Sequence, residues 1–201
     1  MISLVFPGQG SQYIGMGKDF SKTFPIASDV YNEVDDVLGF SLSKLIFNGN
    51  IEDLTLTKNA QPAIMATSIA ILRTMQREGF NTKKTAFFAG HSLGEYTALC
   101  ASGAISLADT AHILKMRGIF MQEAVSVEEG AMAAILGLNL DKVESLVAEI
   151  KGNEICEIAN DNEPNQLVLS GHRAAIEKAC EKAKSLGAKR AILLPVSAPF
   201  H

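Results

Sequence analysis

An α/β fold is the class this sequence predicts, and three stretches predict it. Short apolar runs at 2–6 and 85–89 are each followed by helical periodicity, the grammar of a parallel sheet covered by helices on both faces. The run at 85–89 reads as a buried strand; Gly90-His91-Ser92-Leu93-Gly94 interrupts it and opens a helix through about residue 102, so a strand, a sharp turn and a helix follow one another. From residue 130 the order becomes strand, helix, strand, strand, helix, strand, a split βαββαβ pattern.

The Gly-x-Ser-x-Gly turn is where chemistry is most legible. A strand-to-helix turn with this pattern is a nucleophile elbow, as in α/β-hydrolase-like sheets, which lifts the serine to the end of the sheet. Glycines on either side leave room where the backbone is strained and neighbouring chain passes close. The helix N-terminus favours developing negative charge, and the backbone N–H of Leu93 is one natural oxyanion donor. The other reading is a glycine-flanked turn with an incidental serine.

Bulk properties narrow the field. The chain has 201 residues, 47% hydrophobic and 20% charged, enough for one large domain or for a domain carrying a smaller one. A formal net charge of -4 with no basic stripe argues against nucleic acid as partner. No signal peptide and no apolar run of membrane-spanning length is visible. The expectation is a cytoplasmic monomer with no membrane partner. Cys100, Cys156 and Cys180 lack Cys-x-x-Cys spacing and read as small core residues, not as a disulfide framework or a metal site.

In chain order, strand 2–6 runs into Pro7-Gly8-Gln9-Gly10-Ser11-Gln12. A dinucleotide fingerprint would need glycine where Tyr13 stands, and a P-loop would need Ser or Thr where Asp19 follows Gly17-Lys18. What remains is a loop whose backbone can approach a ligand, or a plain strand-to-helix turn. A helix at 25–38 is expected to bury Ile26, Val30, Val34, Val37 and Leu38 and to stop at Gly39; a shorter one covers 41–47. Asn59-Ala60-Gln61-Pro62 is read as the start of a long helix, with Pro62 in its first turn and Ile64, Met65, Ser68, Ile69 and Leu72 inward, ending at Gly79. The next helix, 107 to about 125, sets Arg117 among Ile113, Leu114, Phe120 and Met121. Either the arginine snorkels, or it is a fixed cation whose fork suits a carboxylate. Strands are then expected at 131–138, 155–159, 166–170 and 189–196, helices at 141–151 and 173–186, and a turn at 160–165. The division that follows is a core at 1–128 and 195–201 and a ferredoxin-like subdomain at 129–194.

Taken together, Phe6-Pro7-Gly8-Gln9-Gly10-Ser11-Gln12, Gln61-Pro62-Ala63, Gly90-His91-Ser92-Leu93-Gly94-Glu95-Tyr96, Arg117 and Ala198-Pro199-Phe200-His201 resemble, in this order, the malonyl-CoA:acyl carrier protein transacylases of bacterial fatty-acid synthesis. The resemblance covers the whole chain and implies an α/β-hydrolase-like core with the inserted subdomain. It implies that Ser92 carries the malonyl group as an ester, that His201 is the base, and that Arg117 clamps the free malonyl carboxylate. It further implies an oxyanion hole from the backbone amides of Gln9 and Leu93, and an acyl site lined by Gln61, Asn160 and Phe200. Malonyl-CoA and the phosphopantetheine thiol of acyl carrier protein would be the substrates, with no metal or redox cofactor. The clustering of Lys178, Lys182, Lys189 and Arg190 offers a dock for an acidic carrier protein, or a solvated helix face interleaved with Glu177 and Glu181. The family continues past the histidine, where a downstream carbonyl holds the imidazole; the sequence stops at His201, so a fragment or a shortened, inactive form is expected.

Two other functions compete. A serine esterase or thioesterase would use the same elbow but has no need of Arg117, and its acidic triad member would have to be Asp161. A non-catalytic form that binds carrier protein or coenzyme A is the second. His91 beside the nucleophile, His112 on the polar side of its helix and His172 in a turn are given structural roles.

Overall fold

Backbone polar groups of an apolar run need a neighbouring strand, and the two apolar runs of the first half find one another. In the computed structural model, which describes residues 1–125, 129–150, 152, 154–194, 196 and 198–201, β1 (Ile2–Phe6) pairs in parallel with β2 (Thr85–Gly90), Leu4 beside Phe88 and Phe6 beside Gly90. Between them run α1 (Lys18–Thr23), α2 (Pro25–Leu38), α3 (Leu42–Asn48), α4 (Ile51–Thr55) and α5 (Thr57–Arg77); α6 (Leu93–Ser102) and α7 (Leu107–Glu123) follow. The chain divides into two compact units, Met1–Phe120 and Met121–His201.

In the first unit α5 is the central element. It is buried on nearly every side, from Thr57 and Asn59 through Thr74, and with Val30, Tyr31, Val34, Leu42, Ile46, Leu93 and Leu114 it makes the core. Its start lies earlier than the sequence suggested. Leu56 precedes the helix and Pro62 sits inside it, so the turn around Lys58 lacks the hydrogen bond that residue 62 would donate. The inward stripe of α2 is Ala27, Val30, Tyr31 and Val34, whereas Val37 is exposed. Tyr31 shifts the stripe because its ring packs edge-on to Phe47 and its hydroxyl donates to Thr67 Oγ1 at 3.1 Å. Helices α1 and α4 are short additions to the elements expected from the sequence, and α4 is held at its start by Asn50, whose side chain accepts from the Asp53 N–H. The expectation of a buried strand at 85–89 is corrected: Leu4, Phe6 and Phe88 pack on Leu72 and Ala98, but Val5 and Phe87 on the opposite face are 74% and 62% exposed. No element among the described residues covers that face.

The second unit is a four-stranded antiparallel sheet in the order β4 (Cys156–Glu163), β5 (Gln166–His172), β3 (Gly130–Leu136), β6 (Arg190–Leu193). The helices α8 (Leu140–Ile150) and α9 (Arg173–Ser185) complete the βαββαβ order and share a core with the sheet around Ile135, Leu146, Leu167, Leu169 and Ile176. Two sequence readings need correcting here. Asn160 to Glu163 belong to β4, and the turn is only Pro164-Asn165, with proline fixing one φ and Asn165 accepting a left-handed φ of 69°. His172 ends β5 and is no turn residue; its Nδ1 accepts from the Ile155 N–H at 3.0 Å. Lys151, Pro195 and residues 126–128, on which one element end and both domain boundaries were expected to fall, lie outside the described residues. The chain is a mixed α/β protein.

Candidate active site

Three backbones meet at the elbow, and the glycines are there because nothing larger fits. A Cβ on Gly90 would stand 1.9 Å from the Gly94 carbonyl carbon, one on Gly94 would stand 2.4 Å from the Phe6 carbonyl oxygen, and one on Gly8 would stand 2.5 Å from His91 Nδ1. The His91 N–H donates to the Phe6 carbonyl at 3.1 Å, tying the end of β1 to the turn. Pinned in this way, Ser92 takes φ 54° and ψ -106°, a conformation costing about 1–3 kcal/mol for a residue with a side chain.

Ser92 is the N-cap residue of α6, yet its hydroxyl caps no helix N–H. Its Oγ instead accepts a hydrogen bond from Arg117 Nη2 at 3.0 Å. Arg117 Nη1 donates to Gln61 Oε1 at 2.6 Å, and the guanidinium carbon lies 5.5 Å from the ring centre of Tyr96. Three of the residues singled out in the sequence, Gln61, Ser92 and Arg117, are therefore one hydrogen-bonded group. Among the described residues no carboxylate pairs with Arg117. The apolar face expected around it is half open: Leu114 is buried, but Ile113 and Phe120 are 36% and 61% exposed. The arginine stands at the edge of the core, reaching in.

Gln9 lies on the loop after β1, where its side chain donates to Thr57 Oγ1 at 3.4 Å. Leu93 is the first residue of α6 and buried, a position whose N–H has no acceptor within its own helix. Asn160, Phe200 and His201 belong to the second unit. Asn160 is half-buried on β4 opposite Val168, the Phe200 N–H donates to the Ala198 carbonyl at 3.1 Å, and His201 lines a cavity of about 230 Å³ with Glu157, His172 and Pro199. In this unit Lys178 pairs with Glu154 at 3.6 Å and Lys182 pairs with Glu149.

The residue that sequence reasoning missed is Tyr96. It was quoted as part of the elbow motif and given no role, although its spacing of four from Ser92 puts it one turn further along the same helix. Burial pushes the Cys156 thiol up to about 11 and raises Cys180 and Cys100 as well, so none is a ready nucleophile. Among the described residues no cluster of three or more His, Cys, Asp or Glu is placed to hold a metal ion, and no helix is long and apolar enough to cross a membrane.

The acyl transferase domain model matches residues 3–199. The malonyl CoA-acyl carrier protein transacylase of Bacillus subtilis (strain 168) is 49% identical over 202 residues, covering 100% of this chain and 62% of that protein. That of Escherichia coli (strain K12) is 43% identical over 199 residues, covering 99% and 64%. Among solved structures, an acyl-carrier-protein S-malonyltransferase from Bartonella henselae superposes with a TM-score of 0.96 at 53% identity, covering 100% of this chain and 65% of that one. A type II PKS acyl-carrier protein in complex with its malonyl-transacylase gives 0.94 at 41% identity, covering 98% and 63%. The chain thus spans less than two thirds of the length of each of these relatives.

Proposed function

The chain belongs to the acyl transferase domain family, and from that premise we propose that it carries the elbow and carboxylate clamp of an enzyme that moves a malonyl group from coenzyme A to acyl carrier protein. The observation that carries the reading is Arg117: a cation without a carboxylate partner among the described residues, hydrogen-bonded to the oxygen that would become the ester. A neutral acyl group leaves that charge uncompensated, whereas a malonyl group brings the missing anion. The relatives' names support the substrate, and the solved complex with an acyl-carrier protein supports the partner.

The chemistry is a two-step acyl exchange. Ser92 Oγ attacks the thioester carbonyl of malonyl-CoA while its proton passes to the base, a role that falls to His201 on its motif position. The oxyanion is held by the backbone N–H groups of Gln9 and Leu93; loss of one such donor costs roughly 3 kcal/mol of barrier. The tetrahedral intermediate collapses to the malonyl-serine ester, and coenzyme A leaves as the thiol with the proton returned. The phosphopantetheine thiol then attacks the ester, its proton goes to the base, and Ser92 recovers it as the thioester product departs. Arg117 and Gln61 hold the carboxylate end; Asn160 and Phe200 line the acyl site. No cofactor enters this scheme, and the reaction takes place in the cytoplasm on a monomer.

Architecturally, we read the first unit as the core of an α/β-hydrolase-like domain, and residues 129–194 of the second unit as a ferredoxin-like subdomain. The strand order β4-β5-β3-β6 supports that reading. Carrier-protein docking is carried by Lys189 and Arg190, because Lys178 and Lys182 already face glutamates.

The test is substrate choice. Arg117→Ala should lower malonyl transfer by about a hundredfold, on the order of 3 kcal/mol, and leave acetyl transfer little changed or raised. Equal loss of both rates would make Arg117 structural and favour the esterase reading.

A further inference from the structure

We propose that Tyr96 is the positioning residue for Arg117, its ring face holding the guanidinium in place without neutralising it; this rests on the acyl-transfer reading. A guanidinium has five N–H donors, and here one goes to Gln61 Oε1 and one to Ser92 Oγ, both neutral acceptors. Neither compensates the positive charge, and among the described residues no carboxylate does. The half-buried cation stands 5.5 Å from the centre of the Tyr96 ring, inside the range where the negative face of an aromatic ring attracts it.

The choice of a ring has a physical logic. An Asp or Glu at this position would hold Arg117 more strongly, but it would also occupy the donors and cancel the charge that an incoming carboxylate must meet. An aromatic face attracts the cation without taking an N–H, which leaves the remaining donors free for a bidentate carboxylate. Placement is equally constrained. Tyr96 lies one turn along α6 from Ser92, so the nucleophile and the platform share one rigid helix, while Gln61 approaches from α5. Arg117 is therefore held from two elements besides its own, with Nη2 3.0 Å from Ser92 Oγ. The group that selects the acyl chain and the group that receives it are aligned by the same helix.

Tyr96→Phe keeps the π face, while Tyr96→Leu and Tyr96→Met fill the volume without one. Kinetics with malonyl-CoA and acetyl-CoA should show the Phe variant unchanged in its malonyl-to-acetyl ratio. The Leu and Met variants should lose about tenfold in malonyl kcat/KM, chiefly through KM, with acetyl transfer preserved. In parallel, the side-chain Nε–H resonance of Arg117, displaced by the ring current of Tyr96, should stay in place in Tyr96→Phe and move in Tyr96→Leu and Tyr96→Met. An unmoved resonance in both aliphatic variants, or equal loss of both transfer rates, overturns the proposal. Absence of malonyl transfer in a chain extended to the length of its relatives defeats the acyl-transfer reading instead, and the resonance still decides whether the ring holds the arginine.

Discussion

Ser92 is held with φ 54° by backbone packing, and this makes the surrounding glycines the most sensitive residues of the site. Gly90→Ala would drive a methyl to within 1.9 Å of the Gly94 backbone, where no flexible side chain can give way. We expect a loss exceeding about 4 kcal/mol, measured as failure to fold or a collapse of the urea midpoint. Gly10 supplies the contrast: its φ of 105° strains an alanine, but nothing lies within 4 Å of the added carbon. Gly10→Ala should cost only about 1–2 kcal/mol. Similar losses at both positions would mean that strain, and not close approach, governs the elbow. This part of the site was legible in the sequence because a glycine imposed by backbone contact leaves a mark in the motif itself. The hydrogen bond from Arg117 to Ser92 was not legible, since it joins residues 25 positions apart through the geometry of two helices.

At the scale of elements, α5 and α7 meet at Gly118. A Cβ there would lie 2.5 Å from the Lys58 Cα and 2.7 Å from the Thr57 carbonyl oxygen, at the end of α5 where Pro62 has removed a hydrogen bond. Gly118→Ala should therefore push α7 outward at the residue next to Arg117. The expected result is a stability loss of about 2 kcal/mol together with a larger drop in malonyl than in acetyl transfer. Unchanged selectivity would show that Arg117 is positioned independently of the α5–α7 approach. Element types were readable from periodicity, and α2 ended where Gly39 predicts a left-handed stop; Gly103 closes α6 in the same way. The start of α5 was not readable, because proline usually marks a first turn and here tertiary packing around Asn59 and Gln61 outweighs that preference. The length of β4 was hidden for a similar reason: Asn160, Asp161 and Asn162 have turn chemistry, but β5 supplies a pairing partner for them.

For the whole molecule, the buried thiols and phenol tie stability to alkaline pH. Cys156 is pushed from 9.0 up to about 11, chiefly by burial, and Tyr31 from 10.0 up to about 12, again chiefly by burial. In each case the unfolded chain loses its proton first, so between the two values the folded state holds more protons and stability falls as pH rises. The contribution is fully present below about pH 9 and is lost progressively between about 9 and 12. Chemical denaturation across pH 8–11 should show the midpoint dropping above pH 9, and Cys156→Ala should flatten the lower part of that slope while costing some packing. A flat profile in the unsubstituted protein would mean that water reaches these groups. The strand-helix-strand-strand-helix-strand order after residue 130 was legible as a change of grammar, while the open face of Val5 and Phe87 was not, since an apolar strand reads as buried whatever covers it.

The central claim is that Ser92 is the residue that takes the malonyl group. Incubation with malonyl-CoA, a quench in acid and peptide mapping by mass spectrometry tests it most directly. The malonyl adduct should appear on the peptide containing Ser92, should be absent in Ser92→Ala, and should pass to phosphopantetheinylated carrier protein when that is added. An adduct on Cys100, or one that survives Ser92→Ala, would contradict the account.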